Sequence, residues 1–194
     1  MTRRGPGVII IVGYLANAAA PAPLKQRGCA MTILGIDPGL ALMGYGVIEF
    51  ERQKIRLVQY GCIETQAKSP TPQRLRSIFL GMNQLIDTYR PDEIAFEELF
   101  FARNVTTAMN VGAARGAALV AAAQRTEELY EYTPMQIKQA VTGYGKADKA
   151  QVQQMVRMLT GMSSIIRPDD AADAVAVAIC HAHSRQARHM FKIV

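Results

Sequence analysis

Asp37 closes the apolar run Thr32-Ile33-Leu34-Gly35-Ile36 immediately before Pro38-Gly39, so a buried strand ends by presenting a carboxylate at a turn. A charge at such a tip is neutralised, hydrogen-bonded or bound to a metal, because burying it unpaired is costly. Acids recur at comparable boundaries: Glu97 and Glu98 follow the apolar Ile94-Ala95-Phe96, and Asp169, Asp170 and Asp173 follow Pro168. Strand alternation sends Glu97 and Glu98 to opposite faces, so only one of them can join Asp37. Asp170 and Asp173, or Asp169 and Asp173, can point from one face of a helix, although acids in that position also cap a helix and complement its macrodipole. If such carboxylates converge, two of them at about 4 Å repel by about 4 kcal/mol at an effective dielectric near 20, and the cluster requires a cation. Hard oxygen ligands without Cys or clustered His select magnesium or manganese over zinc.

The elements that would position these acids are legible from periodicity. Alternating apolar residues from Thr32 to Asp37, through Met43 to Ile48 and from Ile55 to Thr65 predict three antiparallel strands, with Glu51-Arg52-Gln53-Lys54 as a polar turn. After Lys68-Ser69-Pro70-Thr71-Pro72, apolar residues at Leu75, Ile78, Phe79, Met82, Leu85 and Ile86 predict an amphipathic helix ending near Arg90. Glu93 to Glu98 reads as a fourth strand and Leu129 to Tyr132 as a fifth. The segment Val105 to Gln124 reads as a helix with a thin Ala/Gly face suited to close packing. Pro134 opens another helix, Gly143-Tyr144-Gly145 interrupts, a helix spans about Ala147 to Leu159, and Pro168 opens the last. Hairpin strands followed by strands alternating with helices predict an α/β fold, a mixed five-stranded sheet flanked by helices.

The chain has 194 residues, 49% of them hydrophobic, with no run of eighteen apolar residues, as expected of one globular domain without a membrane span. Cys29, Cys62 and Cys180 form no CxxC pair and are odd in number, which predicts neither a disulfide framework nor a zinc knuckle and fits a reducing cytoplasm. Cys180, His181 and His183 match no common zinc spacing and read as a helix packed on the core. The net charge of +6 overstates any nucleic-acid signal: Arg3, Arg4, Lys25 and Arg27 lie in the first thirty residues, and without them 18 basic residues face 16 acidic ones. Residues 1–30 mimic the charged, apolar and small-residue zones of a secretory signal. The preferred reading makes them a disordered extension or a start placed upstream of Met31, because a strand begins directly after Met31. The domain then spans 31–185, and 186–194 form a tail. Lys138, Lys146, Lys149 and Arg157 make a basic stretch around the flexible Gly143-Tyr144-Gly145 that suits phosphate contact or, equally, a solvated helix face.

Four segments together carry a family resemblance: GIDPG at Gly35–Gly39, GYG at Gly44–Gly46, FEELFFARN from Phe96 to Asn104, and DAADA from Asp170 to Ala174. Over residues 31 to 185, in order and spacing, the chain resembles the RuvC family of bacterial Holliday-junction resolvases, crossover junction endodeoxyribonucleases. The resemblance implies a ribonuclease-H-like fold and assigns the four catalytic, metal-binding acids to Asp37, Glu97, Asp170 and Asp173, leaving Glu98 and Asp169 as non-catalytic neighbours. It implies hydrolysis of DNA phosphodiesters with two Mg2+ ions, replaceable by Mn2+, leaving a 5′-phosphate and a 3′-hydroxyl at each nick. DNA contact is implied for Phe100, stacking on an unpaired base, and for Lys138 and Lys149; Lys146, from the basic stretch, and Arg103 are further candidates. The implied partners are four-way junction DNA, a second copy in a homodimer, and the branch-migration proteins RuvA and RuvB; Val105 to Gln124 is a candidate for part of the dimer interface. A ribonuclease-H-like nuclease for structured RNA and a non-catalytic junction-binding scaffold are the competing expectations. A GIDxG strand also opens the phosphate site of sugar kinases and actin-like ATPases, but those need two lobes and this body is too short for both.

Overall fold

A computed structural model describes residues 10–15, 30–99 and 105–193. The strands are β1 (Ile10–Leu15), β2 (Met31–Asp37), β3 (Leu42–Glu51), β4 (Lys54–Glu64), β5 (Glu93–Glu97) and β6 (Leu129–Tyr132). The helices are α1 (Thr71–Tyr89), α2 (Val105–Ala123), α3 (Pro134–Thr142), α4 (Lys149–Thr160) and α5 (Asp169–His183), followed by a 3-10 helix at Arg185–Phe191. They form one mixed sheet in the order β1-β4-β3-β2-β5-β6. β2, β3 and β4 make the antiparallel group, while β5 and β6 run parallel to β2. No described helix is long and apolar enough to cross a membrane.

The five expected strands are all present, and the sheet gains a sixth from the segment read as an extension. The β-prone run Ile10-Ile11-Val12-Gly13-Tyr14-Leu15 pairs antiparallel with β4, from Ile10 opposite Glu64 to Leu15 opposite Gln59. An open edge strand offers a row of unpaired N–H and C=O groups, and an apolar extended segment satisfies them. The residues read as a C-terminal tail are likewise engaged: Ile193 N–H donates to the Leu129 carbonyl at 2.9 Å, and Lys192 pairs with Tyr130 at the β6 edge. Arg52 and Gln53 both adopt positive φ, as a two-residue hairpin between right-twisted strands demands.

Strand alternation divides the core into two layers. Leu34 and Ile36 of β2 and Ile94 and Phe96 of β5 face α1 and α2, with Ile78, Met82, Ala114 and Ala118. Ile33 of β2 and Ala95 of β5 face the opposite layer, built on Val175, Val177, Ile179 and the other apolar residues of α5, with Ile137 of α3 and Val152 and Val156 of α4. α5 is buried along nearly its whole length, which requires its small-residue composition, and α3 and α4 each start with a capping box, Thr133 with Gln136 and Asp148 with Gln151. Period two therefore puts Asp37 and Glu97 on the α5 side, with Ile33 and Ala95, and turns exposed Glu98 away.

Candidate functional site

Asp37 is the last residue of β2 and Glu97 the last of β5, one step beyond the paired Ile36 and Phe96. Neighbouring strands lie about 4.8 Å apart, so two carboxylates on the same face must stand side by side at the C-terminal edge of the sheet. The first turns of α5 bring Asp170 and Asp173 over this edge. That approach depends on glycines: a Cβ added to Gly35 would lie 2.2 Å from the Ala174 carbonyl oxygen, one on Gly44 2.0 Å from that of Asp170, and one on Gly46 2.8 Å from the Val175 Cα. A residue with a side chain at these points would hold α5 off the sheet, so the groove in β2 and β3 is what lets the helix acids reach Asp37 and Glu97. The turn after Asp37 is tied down by the Thr65 hydroxyl, which donates to the Leu40 carbonyl at 2.6 Å and accepts from Arg74 Nε at 2.8 Å.

The electrostatics are those of a negative cluster in partial burial. Burial, with repulsion from Glu97, Asp173 and Asp170, pushes the Asp37 carboxyl up to about 8, against the pull of Lys149. Burial and Asp173 push Glu97 up to about 7, opposed by Lys138 and Lys149. Asp173 is also raised, chiefly by burial. Lys149 Nζ lies 3.2 Å from Asp173 Oδ2 and 3.2 Å from Asp169 Oδ2, bridging them. Among the described residues no three His, Cys, Asp or Glu side chains are already drawn to the spacing of a metal cage. The donor set nevertheless suits a hard divalent cation: half-buried carboxylates, raised by burial and by mutual repulsion, offer hard oxygen ligands whose charge such an ion would offset.

A folded-state carboxyl pKa above its unfolded value means stability that is present at low pH and lost as pH rises through the folded value. For Glu97 that window runs from its ordinary 4.5 to about 7. Glu97→Gln is therefore expected to raise the melting temperature in chelator at pH 8, and to leave it nearly unchanged at pH 4. Thermal unfolding at the two pH values in EDTA checks this.

Glu97, Lys138, Lys149 and Asp173 line one cavity of about 220 Å³, walled by Ile137, Val152 and Ala176. Lys138 on α3 and Lys149 at the start of α4 thus stand beside the acids. Lys146 does not join them; it borders a separate cavity of about 570 Å³ with Met135, Tyr144 and Phe191. Phe100 and Arg103 lie outside the described residues. Asp169 shares Lys149 with Asp173 but is otherwise held by Arg167 and by the Gln153 amide, which donates to it at 3.0 Å.

The model of the RuvC family, crossover junction endodeoxyribonuclease RuvC, matches residues 33–181. The chain belongs to the RuvC family. A RuvC from Alkaliphilus metalliredigens is 54% identical over 163 residues, covering 84% of this chain and 99% of the relative. Among solved structures, Thermus thermophilus RuvC superposes with a TM-score of 0.75 at 38% identity, covering 81% of this chain and 96% of that one. The same protein in complex with Holliday junction substrate gives 0.73 at 36% identity, with the same coverage. The mixed sheet with flanking helices is accordingly the ribonuclease-H-like fold of RuvC. Within that frame Gly35, Gly44 and Gly46 are the close-approach points that periodicity did not reveal; glycine in strand interiors, which marks close backbone approach, was their physical signal.

Proposed function

We propose that this RuvC-family chain is a structure-specific endodeoxyribonuclease that resolves Holliday junctions by metal-dependent, symmetric nicking of two strands in recombination and repair. The observation that carries the reading is the placement of Asp37 and Glu97 at the ends of adjacent strands beneath the acids of α5, in a chain 36% identical to a RuvC solved with junction DNA. Asp37, Glu97, Asp170 and Asp173 are the groups that would hold the ions, with Mg2+ as the physiological choice and Mn2+ a substitute. When bound, two divalent cations would supply Lewis-acid activation of a water and charge stabilisation of the leaving 3′ oxygen, giving 5′-phosphate and 3′-hydroxyl ends.

The remaining roles belong to the chain itself. Lys138 and Lys149 flank the acids and would draw the scissile phosphate against the negative cluster. Phe100 and Arg103, in the connection between β5 and α2, would meet the crossover, and Lys146 would reach an arm. Two nicks related by symmetry call for two copies, so the active species is a homodimer, with α2 as a candidate interface. RuvA and RuvB would deliver the junction, in the cytoplasm, and residues 31–185 form the nuclease unit.

Magnesium-dependent nicking of a synthetic mobile four-way junction tests the whole reading. Paired nicks in opposite strands support it; preference for folded RNA, or binding without any metal-dependent nicking, removes it. Lys138→Ala is expected to weaken junction binding for every sequence alike and to flatten the slope of log affinity against log salt by about 1, measured by fluorescence titration over a salt series.

A further inference from the structure

β5 carries a second buried carboxylate on the face that bears Glu97. Glu93 opens the strand, Glu97 ends it, and the even spacing puts both on the α5 side. The Glu93 side chain is 7% exposed, and its partner His181, near the far end of α5, is 0% exposed. His181 Nε2 lies 2.6 Å from Glu93 Oε2, and its Nδ1 lies 2.8 Å from the Tyr132 hydroxyl. A proton on Nε2 satisfies both bonds, with the imidazole donating to the carboxylate and the tyrosine donating to Nδ1. Arg188 donates to the other Glu93 oxygen. Burial would raise the Glu93 carboxyl, but the hydrogen bonds from His181 and Arg188 and the Arg188 charge outweigh it and hold the group below its usual range. Tyr132 in turn is the register partner of Glu97 on β6.

We propose that Glu93 and His181 are positioning residues for the acid cluster: the hydrogen bond between them sets how far α5 slides along β5, and so the separation of Asp173 from Glu97. The inference rests on the reading that those acids hold divalent cations. The two arms are matched. Glu93 and Glu97 are four strand residues apart, roughly 13 Å at about 3.3 Å per residue. His181 and Asp173 are eight helical residues apart, roughly 12 Å at 1.5 Å per residue. A slip at one end of this frame is transmitted to the other, because neither a strand nor a buried helix stretches.

The glycine groove fixes how closely α5 approaches β2 and β3, and a directional bond to β5 adds to its register along that strand. Apart from His181, the core-facing residues of α5 are Ala, Val, Ile179 and Cys180, packed against glycines and apolar strand residues, and apolar contacts are non-directional. Meanwhile the repulsion among Asp37, Glu97 and Asp173 drives the α5 N-terminus away from the strand ends. A short hydrogen bond to an ionised carboxylate is directional and strong, and here it is shielded from water. Metal constellations tolerate errors of only about 0.5 Å, so a frame of this kind decides ion affinity.

The test compares His181→Phe, which keeps the ring volume and removes both bonds, Glu93→Gln, which keeps a neutral acceptor, and His181→Gln, which can still donate to Glu93 and accept from Tyr132. Two ion midpoints are measured: magnesium for half-maximal nicking of a mobile junction, and manganese for a fixed rise in melting temperature without DNA. His181→Phe and Glu93→Gln are expected to shift both midpoints upward by roughly 10- to 100-fold, the range for lost support of metal ligands, while junction binding in EDTA is unchanged. His181→Gln should recover most of the shift. Folded variants with a lower melting temperature but wild-type ion midpoints overturn the inference, as does His181→Gln performing no better than His181→Phe. If His181→Phe does not fold, Glu93→Gln is judged by the same midpoints. Absence of ion-dependent nicking in the unaltered protein would instead remove the underlying functional reading.

Discussion

Asp37→Asn is expected to abolish junction nicking while leaving junction binding intact or slightly tighter. Asp37 sits between Glu97 on the neighbouring strand and the acids of α5, and it feels all three of Glu97, Asp173 and Asp170. The amide keeps the volume and one weak acceptor oxygen but removes the charge that would hold two ions at once. Lewis-acid stabilisation contributes several kcal/mol to such a transition state, so the nicking rate should fall by about a thousandfold or more. Binding is governed by phosphate neutralisation, and because burial and its neighbours hold the Asp37 carboxyl up at about 8 without metal, the amide changes the charge of the site little. Single-turnover nicking in magnesium, set beside a binding titration in EDTA, separates the two terms. Glu98→Gln is the matched control: Glu98 adjoins Glu97 but is exposed on the opposite side of the strand, and its nicking rate should stay at the wild-type level. Retained nicking by Asp37→Asn would refute the assignment of the acids.

The second large effect is expected from a single methyl group. Gly44→Ala places a Cβ 2.0 Å from the Asp170 carbonyl oxygen and 2.5 Å from its carbonyl carbon. Both are backbone atoms, so no side-chain rotation relieves the clash, and β3 or α5 must move. Overpacking of this kind costs about 1–3 kcal/mol, or a fall of roughly 2–12 °C in melting temperature for a domain of this size. The loss of activity should be larger than the loss of stability implies, because the displaced residue is Asp170 itself, and a misplacement of about 1 Å at a reacting centre costs about a hundredfold. Calorimetry and single-turnover nicking below the melting transition check the two parts. A folded variant with wild-type nicking would show that the α5 N-terminus tolerates displacement and that the groove serves packing alone.

Much of the architecture was legible because it follows from local chemistry. Alternation in β2 and β3, the polar reversal at Arg52 and Gln53, the Pro-led start of α3 and the acidic start of α5 are each encoded within a few residues. Two departures share one physical origin. β1 and the engaged C-terminus are segments whose structure is completed by a sheet edge elsewhere, β4 in one case and β6 in the other. Edge pairing is a backbone transaction between distant parts of the chain, and side-chain periodicity does not record it. Within the site, Lys138 and Lys149 join the acids and Lys146 does not, although all three lie within twelve positions. Gly143 ends α3 in a left-handed cap and turns the chain, so proximity in sequence was no guide to which amines share a cavity.

By itself the amino-acid order determined which carboxylates were available, that each stood at the end of a strand or the start of a helix, and that their hard oxygen chemistry called for a divalent cation. Only the tertiary structure shows which acid of each neighbouring pair faces the others. Glu97 rather than Glu98 faces α5 because Ala95 and Glu97 share a pleat whose layer is set by β2 and α5, and Asp169 is engaged by Arg167 and Gln153. The same holds for the glycine groove and the buried Glu93–His181 pair. Charge, volume and propensity are properties of single residues, whereas the distance from a carbonyl oxygen to an absent Cβ exists only once two remote segments are packed together.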